Sequence, residues 1–230
     1  MCYNTPQENT QFTLRRYPTT NKEEAIELIL DYLDLLKIEH SDPMPEEGDE
    51  NNTEILFVTE GKDSPGGFIE SAITFSDNCI LARAYYNTVG QKLVTTNLER
   101  FPSLFRLLNV INEEKNHICI QHSPYFDDDE EKSAIFCPQL RMTEDGNYDI
   151  KYQLIVDYSY FELYPNETSH MLVVFLQNCL NAFAPAVFGV LTSKMNLKEA
   201  KSYIVSKKME FTEKPENYTP TEEDENNELS

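Results

Sequence analysis

Apolar residues recur every three or four positions over residues 25–36, the spacing of a helix that buries one face. The polar residues 19–21 offer an N-cap, and Glu23 or Glu24 completes a capping box three residues later. This pattern predicts a first helix that ends before Ser41.

A second helix is predicted to begin near Phe101, because Pro102 is tolerated only in the first turn of a helix. Asn196 and Glu199 form a second capping-box pattern, which predicts a last, more polar helix that begins after Asn196 and extends to about Lys208. The buried stripe predicted for the helix at Phe101 consists of Phe101, Leu104, Phe105, Leu108 and Ile111.

The apolar run MLVVFLQNCLNAFAPAVF, which begins at Met171, predicts a helix between these two. It is apolar over a wide arc, so we expect it to be the most buried helix of the protein. Pro185 is expected to kink or end it. The residues predicted to line its core face are Met171, Leu172, Phe175, Leu176, Cys179, Leu180 and Phe183.

Short runs of β-forming residues with alternating polarity predict strands in two groups, each with short connections. The first group is an antiparallel meander, formed by Ile55–Glu60, Phe68–Phe75 and Cys79–Tyr86. The second group contains His117–Gln121, an extended stretch at 134–142 interrupted by Pro138, and a long strand at Tyr148–Tyr160.

Turn chemistry separates these strands at two places. Asp145-Gly146 is a strong hairpin signal before the strand at Tyr148. The segment SDPMPEEGDENN, residues 41–52, contains two prolines, a glycine and clustered acids, which favour a solvated loop.

Length and pattern together predict one α+β domain with two appendages. The chain has 230 residues, and 40% of them are hydrophobic, which is enough for a sizeable core. We predict a flexible N-terminal arm at residues 1–18, a single domain at 19–208, and a disordered acidic tail at 209–230.

The charge balance excludes two classes of partner. With 40 acidic and 19 basic residues, the net charge is −21, which repels nucleic acid and anionic membranes. No run of 18 apolar residues and no apolar signal core at the N-terminus is present, which predicts a cytoplasmic protein. The same charge favours basic partners.

Residues able to support catalysis or metal binding lack the spacing that such chemistry needs. The acids at 127–131 are consecutive, without the alternation and glycine of a calcium loop, so a solvated loop is predicted there. His117 and His122 would face opposite sides of a strand. The five cysteines form no C-x-x-C pair and fit a reduced compartment; Cys79, Cys119 and Cys179 lie in apolar segments, where free cysteines are expected to be buried. We therefore predict no catalytic, cofactor or metal residues.

The segment RLLNVINEEKNHICIQ carries two asparagines three apart, Asn109 and Asn112, on a helix that runs into a strand. Followed by a hairpin and a strongly apolar helix, it resembles the YbjN-like family, which has the type III secretion chaperone-like fold. The resemblance covers roughly residues 20–190 by pattern. This chain departs from the family pattern in three places: a longer loop at 41–53, the acidic insert at 122–133, and the C-terminal helix with its tail.

The resemblance implies an antiparallel sheet of about five to six strands with helices packed on one face. Family members are small, acidic and non-enzymatic, often pair as homodimers, and are linked to chaperone-like or regulatory binding of other proteins. Asn112 is expected to hydrogen-bond a neighbouring strand or loop.

Aromatic residues near the last predicted strand are the candidate protein-binding surface, since Tyr and Phe bury large areas at interfaces. Half of them are expected to lie in the core. They are Tyr148, Tyr152, Tyr158, Tyr160, Phe161 and Tyr164.

These observations predict a non-catalytic protein-binding module, chaperone-like or regulatory, whose partner is a basic or partly unfolded protein or a second copy of the chain. Two alternatives stay open. One is a hydrolase-type enzyme whose site is not visible in the sequence. The other is an acidic mimic of nucleic acid that binds basic proteins, with binding that weakens in salt.

Overall fold

A computed structural model of the protein describes residues 21–115, 117–120, 134–143 and 146–207. Its main sheet has six antiparallel strands in the order β1–β2–β3–β4–β8–β7, and β5 and β6 form a separate pair. The strands are β1 (Met44–Glu46), β2 (Asp49–Glu60), β3 (Phe68–Phe75), β4 (Cys79–Tyr86), β5 (Ile118–Ile120), β6 (Ala134–Phe136), β7 (Gln139–Met142) and β8 (Ile150–Asp157).

The helices pack on one face of this sheet, as predicted. A π-helical turn at Met171–Phe175 joins α5 to α6, so that Pro165–Leu191 is one continuous helix. The helices are α1 (Lys22–Leu35), α2 (Thr88–Thr95), α3 (Phe101–Lys115), α4 (Tyr158–Leu163), α5 (Pro165–His170), α6 (Leu176–Leu191) and α7 (Leu197–Ser206).

The two predicted capping boxes are confirmed. The Asn21 side chain accepts from the Glu24 backbone, and the Glu24 carboxylate accepts from the Asn21 backbone. Asn196 and Glu199 repeat this arrangement at α7. Each box satisfies backbone donors that a helix start otherwise leaves unpaired.

The core lies between the inner face of the sheet and the helix Pro165–Leu191. Inward residues of adjacent strands stand opposite one another, as in the row Ile73, Ala82 and Leu154, and all of them are buried. The predicted core face of this helix is confirmed, since all seven of its residues are buried. Gln177 adds a polar link, because its Nε2 donates to Ser71 Oγ at 3.2 Å and to the Leu172 carbonyl at 3.0 Å.

The helix Pro165–Leu191 is long and apolar enough to cross a membrane by length and composition. However, 72% of its most apolar window is buried inside the protein. It is therefore the core helix of a globular α+β domain.

Pro185 lies within α6 and does not end it, so that part of the expectation from the sequence is wrong, whereas the expected kink stays a prediction. A proline within a helix costs about 3 kcal/mol through the lost hydrogen bond and the ring clash. The turn and a half beyond it is buried at every position from Ala186 to Leu191. Burial of these side chains offsets the cost, so the helix continues.

The predicted loop at 41–52 is wrong, because this segment forms the β1–β2 hairpin. Gly48 takes a φ of +88° at the turn, a conformation that glycine adopts without strain. Pro45 is accommodated because β1 is the edge strand and needs no outward backbone donor.

The predicted strand at Tyr148–Tyr160 is too long at both ends, since β8 covers only Ile150–Asp157. Asp157 ends the strand because its carboxylate accepts from the Tyr160 backbone at 2.8 Å and caps α4. The predicted buried stripe of α3 is wrong at Phe105, which is 41% exposed, and Leu107 is buried in the helix instead.

Asn112 closes the free edge of the sheet at β7. Its Oδ1 accepts from the Leu140 backbone at 2.8 Å, and its Nδ2 donates to the Leu140 carbonyl at 2.9 Å. The side-chain amide thus pairs with both outward backbone groups of Leu140, as a neighbouring strand would. The predicted hydrogen bond from Asn112 to a strand is confirmed.

Replacing Asn112 by Ala should lower the free energy of unfolding by about 1–3 kcal/mol, because two backbone groups lose their partners. Urea denaturation at neutral pH measures the change. The matched control is Asn109→Ala, since Asn109 lies three residues earlier in α3 and is exposed. An equal loss in both variants would contradict this role of Asn112.

His170 is a buried imidazole at the end of α5, with its Nδ1 2.9 Å from the Tyr32 hydroxyl. Burial lowers the pKa of His170 from 6.5 to about 4. The unfolded chain therefore takes up the proton first as the pH falls, so the stabilising contribution is complete above pH 6.5 and is lost toward pH 4.

Within this window, protonation of this histidine in the unfolded chain should lower the free energy of unfolding by about 1.4 kcal/mol for each pH unit of acidification. Urea denaturation at several pH values between 4 and 7 should show a weaker pH dependence for His170→Gln than for the unaltered protein. His117→Gln, at an exposed histidine, is the control and should keep the full dependence. Parallel curves for all three proteins would refute the assignment.

Candidate protein-binding face of the sheet

The sheet has an open face, which we define as the side chains of β2, β3, β4 and β8 that point away from the helices. Along β2 the residues alternate strictly, with Ile55 and Phe57 buried and Leu56 and Val58 exposed by 40% and 51%. Ile155 of β8 is 61% exposed on the same side. Apolar side chains therefore occupy both faces of these strands, although the described helices cover only one.

A groove of about 880 Å³ lies at one end of the open face. We call it the face groove. Cross-strand neighbours build its floor, since Leu56 stands opposite Ala72, and Glu70 stands between Val58 and Tyr85. The outward apolar residues that line it are Leu56, Val58, Phe68, Ala72 and Tyr85, and the buried Phe57 also borders it.

The segment Glu39 to Ser41 forms one wall of the face groove. The Ser41 backbone donates to the Leu56 carbonyl at 2.8 Å, and the Leu56 backbone donates to Ser41 Oγ at 3.0 Å. His40 forms a β-bridge with Phe57. This wall therefore continues the edge of the sheet beyond β1.

The imidazole of His40 lies in this wall, with Nδ1 3.0 Å from the Ser41 carbonyl and Nε2 3.3 Å from Asp34 Oδ1. The Ser41 carbonyl raises the pKa of His40 above its usual value, and the Asp34 carboxylate adds to the effect while partial burial opposes it. Protonation thus makes His40 the one lining residue that can carry positive charge.

The ionised groups of the face groove are otherwise carboxylates. Glu39, Glu60 and Glu70 line it, and none of the lining residues is Lys or Arg. A groove with an apolar floor and carboxylates around it suits a ligand that carries apolar and cationic side chains together.

Arg83 ties the strands together beside the face groove. Its Nη2 lies 3.1 Å from Glu46 Oε1 of β1 and 2.8 Å from Glu54 Oε1 of β2, and it also donates to Thr74 of β3. The side chains of all three charged residues are largely buried. This network holds the β1–β2 hairpin against the meander, and so positions the strand that carries Leu56 and Val58.

The aromatic candidates from the sequence do not form one surface. Tyr152, Tyr158 and Phe161 lie in the core, and this half matches the expectation that half are buried. Tyr148, Tyr160 and Tyr164 are half-buried and pack against that core. Tyr160 has a specific role, because its hydroxyl accepts from the Ile135 backbone at 2.6 Å and donates to the Ile135 carbonyl at 2.9 Å.

The residues of the face groove were not identified from the sequence. One signal in the sequence could have found them: residues 55–58 of a predicted strand are all apolar. Consecutive apolar residues in a strand place apolar side chains on both faces of the sheet. Sequence alone does not show which of the two faces a helix covers.

Cysteines and histidines are dispersed in the described part of the chain. Cys179 is buried, but Cys119 is exposed, so its expected burial is wrong. His117 Nε2 lies 3.9 Å from the exposed Cys137 Sγ.

Among the described residues, no group of three His, Cys, Asp or Glu side chains is placed to hold a metal ion. His122 and the acidic run 127–131 lie outside the described residues.

Comparison with known proteins returns no match to a family model, to a curated protein or to a solved structure. The YbjN-like resemblance therefore stays a prediction. The α+β fold with an antiparallel sheet and helices on one face is established by the structure itself.

The edges of β7, β6 and β1 are poorly available to a partner strand. Asn112 occupies the outward backbone groups of β7, and Tyr160 occupies those of β6 at Ile135. β1 has only three residues, and one of them is Pro45. Short edge strands, proline and side-chain covers all hinder the addition of another strand.

Replacing Arg83 by Met should lower the free energy of unfolding by about 3 kcal/mol, because Glu46 and Glu54 would remain largely buried without their cation. Urea denaturation measures this change. Arg141→Met is the control, since Arg141 is exposed and bonds only its neighbour Gln139 among the described residues. Adding Glu46→Gln and Glu54→Gln to Arg83→Met should restore part of the loss; no restoration would argue against the charge network.

Proposed function

We propose that this protein is a non-catalytic, cytoplasmic protein-binding module, chaperone-like or regulatory, of the kind that the YbjN-like resemblance implies. Its ligand is an extended segment of a partner protein that carries basic and apolar side chains. Such segments occur in partly unfolded proteins and in basic tails. The face groove is the binding site.

The observation that carries this proposal is the combination of apolar floor and acidic border in the face groove. Leu56 and Val58 remain exposed in a strand whose other face is buried at Ile55 and Phe57. Exposed apolar positions that are contiguous and bordered by charge are typical of interaction sites. The carboxylates of Glu39, Glu60 and Glu70 select for cations among the peptides that fit.

The size of the face groove supports a short peptide segment as the ligand. Its volume of about 880 Å³ lies near the upper end of the usual range for ligand pockets, roughly 300–1,000 Å³. A side chain every second residue of an extended peptide meets the same face of a sheet, as Leu56 and Val58 do on β2.

The apolar floor favours this function over a mimic of nucleic acid. A mimic requires carboxylates spaced like phosphates along one stripe, which basic proteins then neutralise. In the face groove, five apolar side chains lie among the carboxylates. Binding should therefore retain an apolar component that salt does not remove.

A fluorescein-labelled peptide of alternating Lys and Leu tests the proposal by fluorescence anisotropy. We expect saturable binding that weakens between about 50 and 300 mM salt, and at least about tenfold weaker binding to the double variant Glu60→Lys, Glu70→Lys. Leu56→Ser with Val58→Ser should weaken the binding that persists in high salt.

The matched control is Glu113→Lys with Glu114→Lys, which makes the same charge change at two exposed positions of α3. It should bind the peptide nearly as well as the unaltered protein. Absence of saturable binding, or equal weakening by both double variants, would count against the face groove.

A further inference from the structure

We propose that Cys137 is a site of reversible thiol modification, at which a low-molecular-weight disulfide of the glutathione type forms a mixed disulfide with the help of His117. Neither residue lines the face groove. The inference therefore goes beyond the proposed function and does not depend on it. It gives the chain a chemical response to the thiol–disulfide balance around it.

Cysteine and histidine side chains, which are otherwise dispersed among the described residues, gather on the two-stranded ribbon of β5 and β6. Ile120 and Phe136 are buried on its inner face. Side chains alternate along each strand, so His117, Cys119 and Cys137 share the outer face. All three are exposed. Two thiols and one imidazole are thus accessible from solvent on one small surface.

The pairing of the ribbon sets His117 across from Cys137. Ile118 pairs with Phe136, so the residue before β5 and the residue after β6 stand opposite each other. The distance from His117 Nε2 to Cys137 Sγ is 3.9 Å, a hydrogen-bond contact of the length that sulfur permits. A thiol and a base in such contact form the pair that activates a cysteine nucleophile.

Tyr160 supports this arrangement from the outer edge of β6. Its hydroxyl accepts from the Ile135 backbone at 2.6 Å and donates to the Ile135 carbonyl at 2.9 Å. The backbone groups of Ile135 therefore point away from β5, and alternation gives Cys137 the same orientation. Residues so oriented form the non-hydrogen-bonded cross-strand pairs, in which opposite side chains approach most closely. The short distance between Cys137 and His117 follows from this orientation.

The imidazole distinguishes Cys137 from the second exposed thiol of the ribbon. The thiolate is the nucleophile in thiol–disulfide exchange, and a neighbouring imidazole can accept the proton that has to leave the thiol. Cys119 stands opposite Ile135, whose side chain cannot accept a proton. Of these two thiols, Cys137 should therefore react faster.

A cleft of about 200 Å³ beside Cys137 offers room for part of the group that becomes attached. The cleft opens because β7 pairs with β8 only as far as Gln139 and Gln153, whereas the chain before Pro138 pairs with β5. Ile155 of the open face also lines this cleft and is 61% exposed. A group bound to Cys137 would therefore lie beside the β8 side of the open face.

The reaction is a disulfide exchange between the Cys137 thiol and a small disulfide RSSR. The thiol proton passes to His117 Nε2, and Cys137 Sγ attacks one sulfur of RSSR. The S–S bond of RSSR breaks as the new S–S bond forms, and the departing thiolate takes up the proton from the imidazolium. Cys137 thus ends as the mixed disulfide and RSH is released, so no further oxidant is needed. Excess of a small thiol reverses the exchange.

Glutathione disulfide, added in excess to the native full chain at pH 7, tests the proposal. Samples are quenched with N-ethylmaleimide and digested with trypsin, which cleaves after Lys132 and so places Cys119 and Cys137 in different peptides. Mass spectrometry should show glutathione on Cys137 at least about tenfold faster than on Cys119, because imidazole acts as the base. Dithiothreitol should remove it. Equal rates at the two thiols would overturn the proposal.

The variant His117→Gln tests the role of the imidazole, with Cys119 of the same molecule as the matched control. The rate at Cys137 should fall to about that of Cys119, whose own rate should change little. Free imidazole added to this variant should restore part of the loss, which a purely structural role of His117 would not allow. Iodoacetamide, a neutral reagent, should give the same order of rates and so excludes attraction or repulsion of the charged disulfide as the cause.

Urea denaturation checks that His117→Gln is folded, as expected for an exposed position. An unchanged rate at Cys137 in the folded variant would refute the assignment of His117, and with it the activated thiol. None of these outcomes bears on binding of the Lys-Leu peptide in the face groove, so the two proposals are tested separately.

Discussion

Burial of the apolar helix Pro165–Leu191 against one face of the sheet is the constraint on which the remaining structure depends. Its side chains and the inward residues of β3, β4 and β8 form one continuous core. Each buried side chain of this size contributes about 1.5–3 kcal/mol, which outweighs the cost of Pro185 within the helix. Since this helix can cover only one face of the sheet, the opposite face stays open. The face groove is thus a consequence of how the core forms.

Three polar contacts make the open face a defined surface. Arg83 holds the β1–β2 hairpin through Glu46 and Glu54, so the strand that carries Leu56 and Val58 has a fixed position. Asn112 and the Tyr160 hydroxyl bind the outward backbone groups of β7 and β6. The contacts of Asn112 and Tyr160 reduce the capacity of β7 and β6 to pair with other chains.

Part of the acidic charge that gives the chain its net charge of −21 lies around the face groove. In the face groove, the carboxylates of Glu39, Glu60 and Glu70 stand beside exposed apolar side chains, an arrangement that suits ligands with basic and apolar groups together. Acidity by itself suggests little more than solubility, but in the proposed function these carboxylates would select for basic partners.

The sequence by itself determined the local elements: the capping boxes at Asn21 and Asn196, most of the meander, and the core face of the apolar helix. Capping depends on neighbours three residues apart, and alternation on neighbours two apart, so both can be read locally. Tertiary structure decided the β1–β2 hairpin, the end of β8 at Asp157 and the continuation of α6 through Pro185. It also decided that Leu56 and Val58 face solvent while Ile55 and Phe57 face the helices. These outcomes depend on which distant element covers a segment, and local spacing does not carry that information.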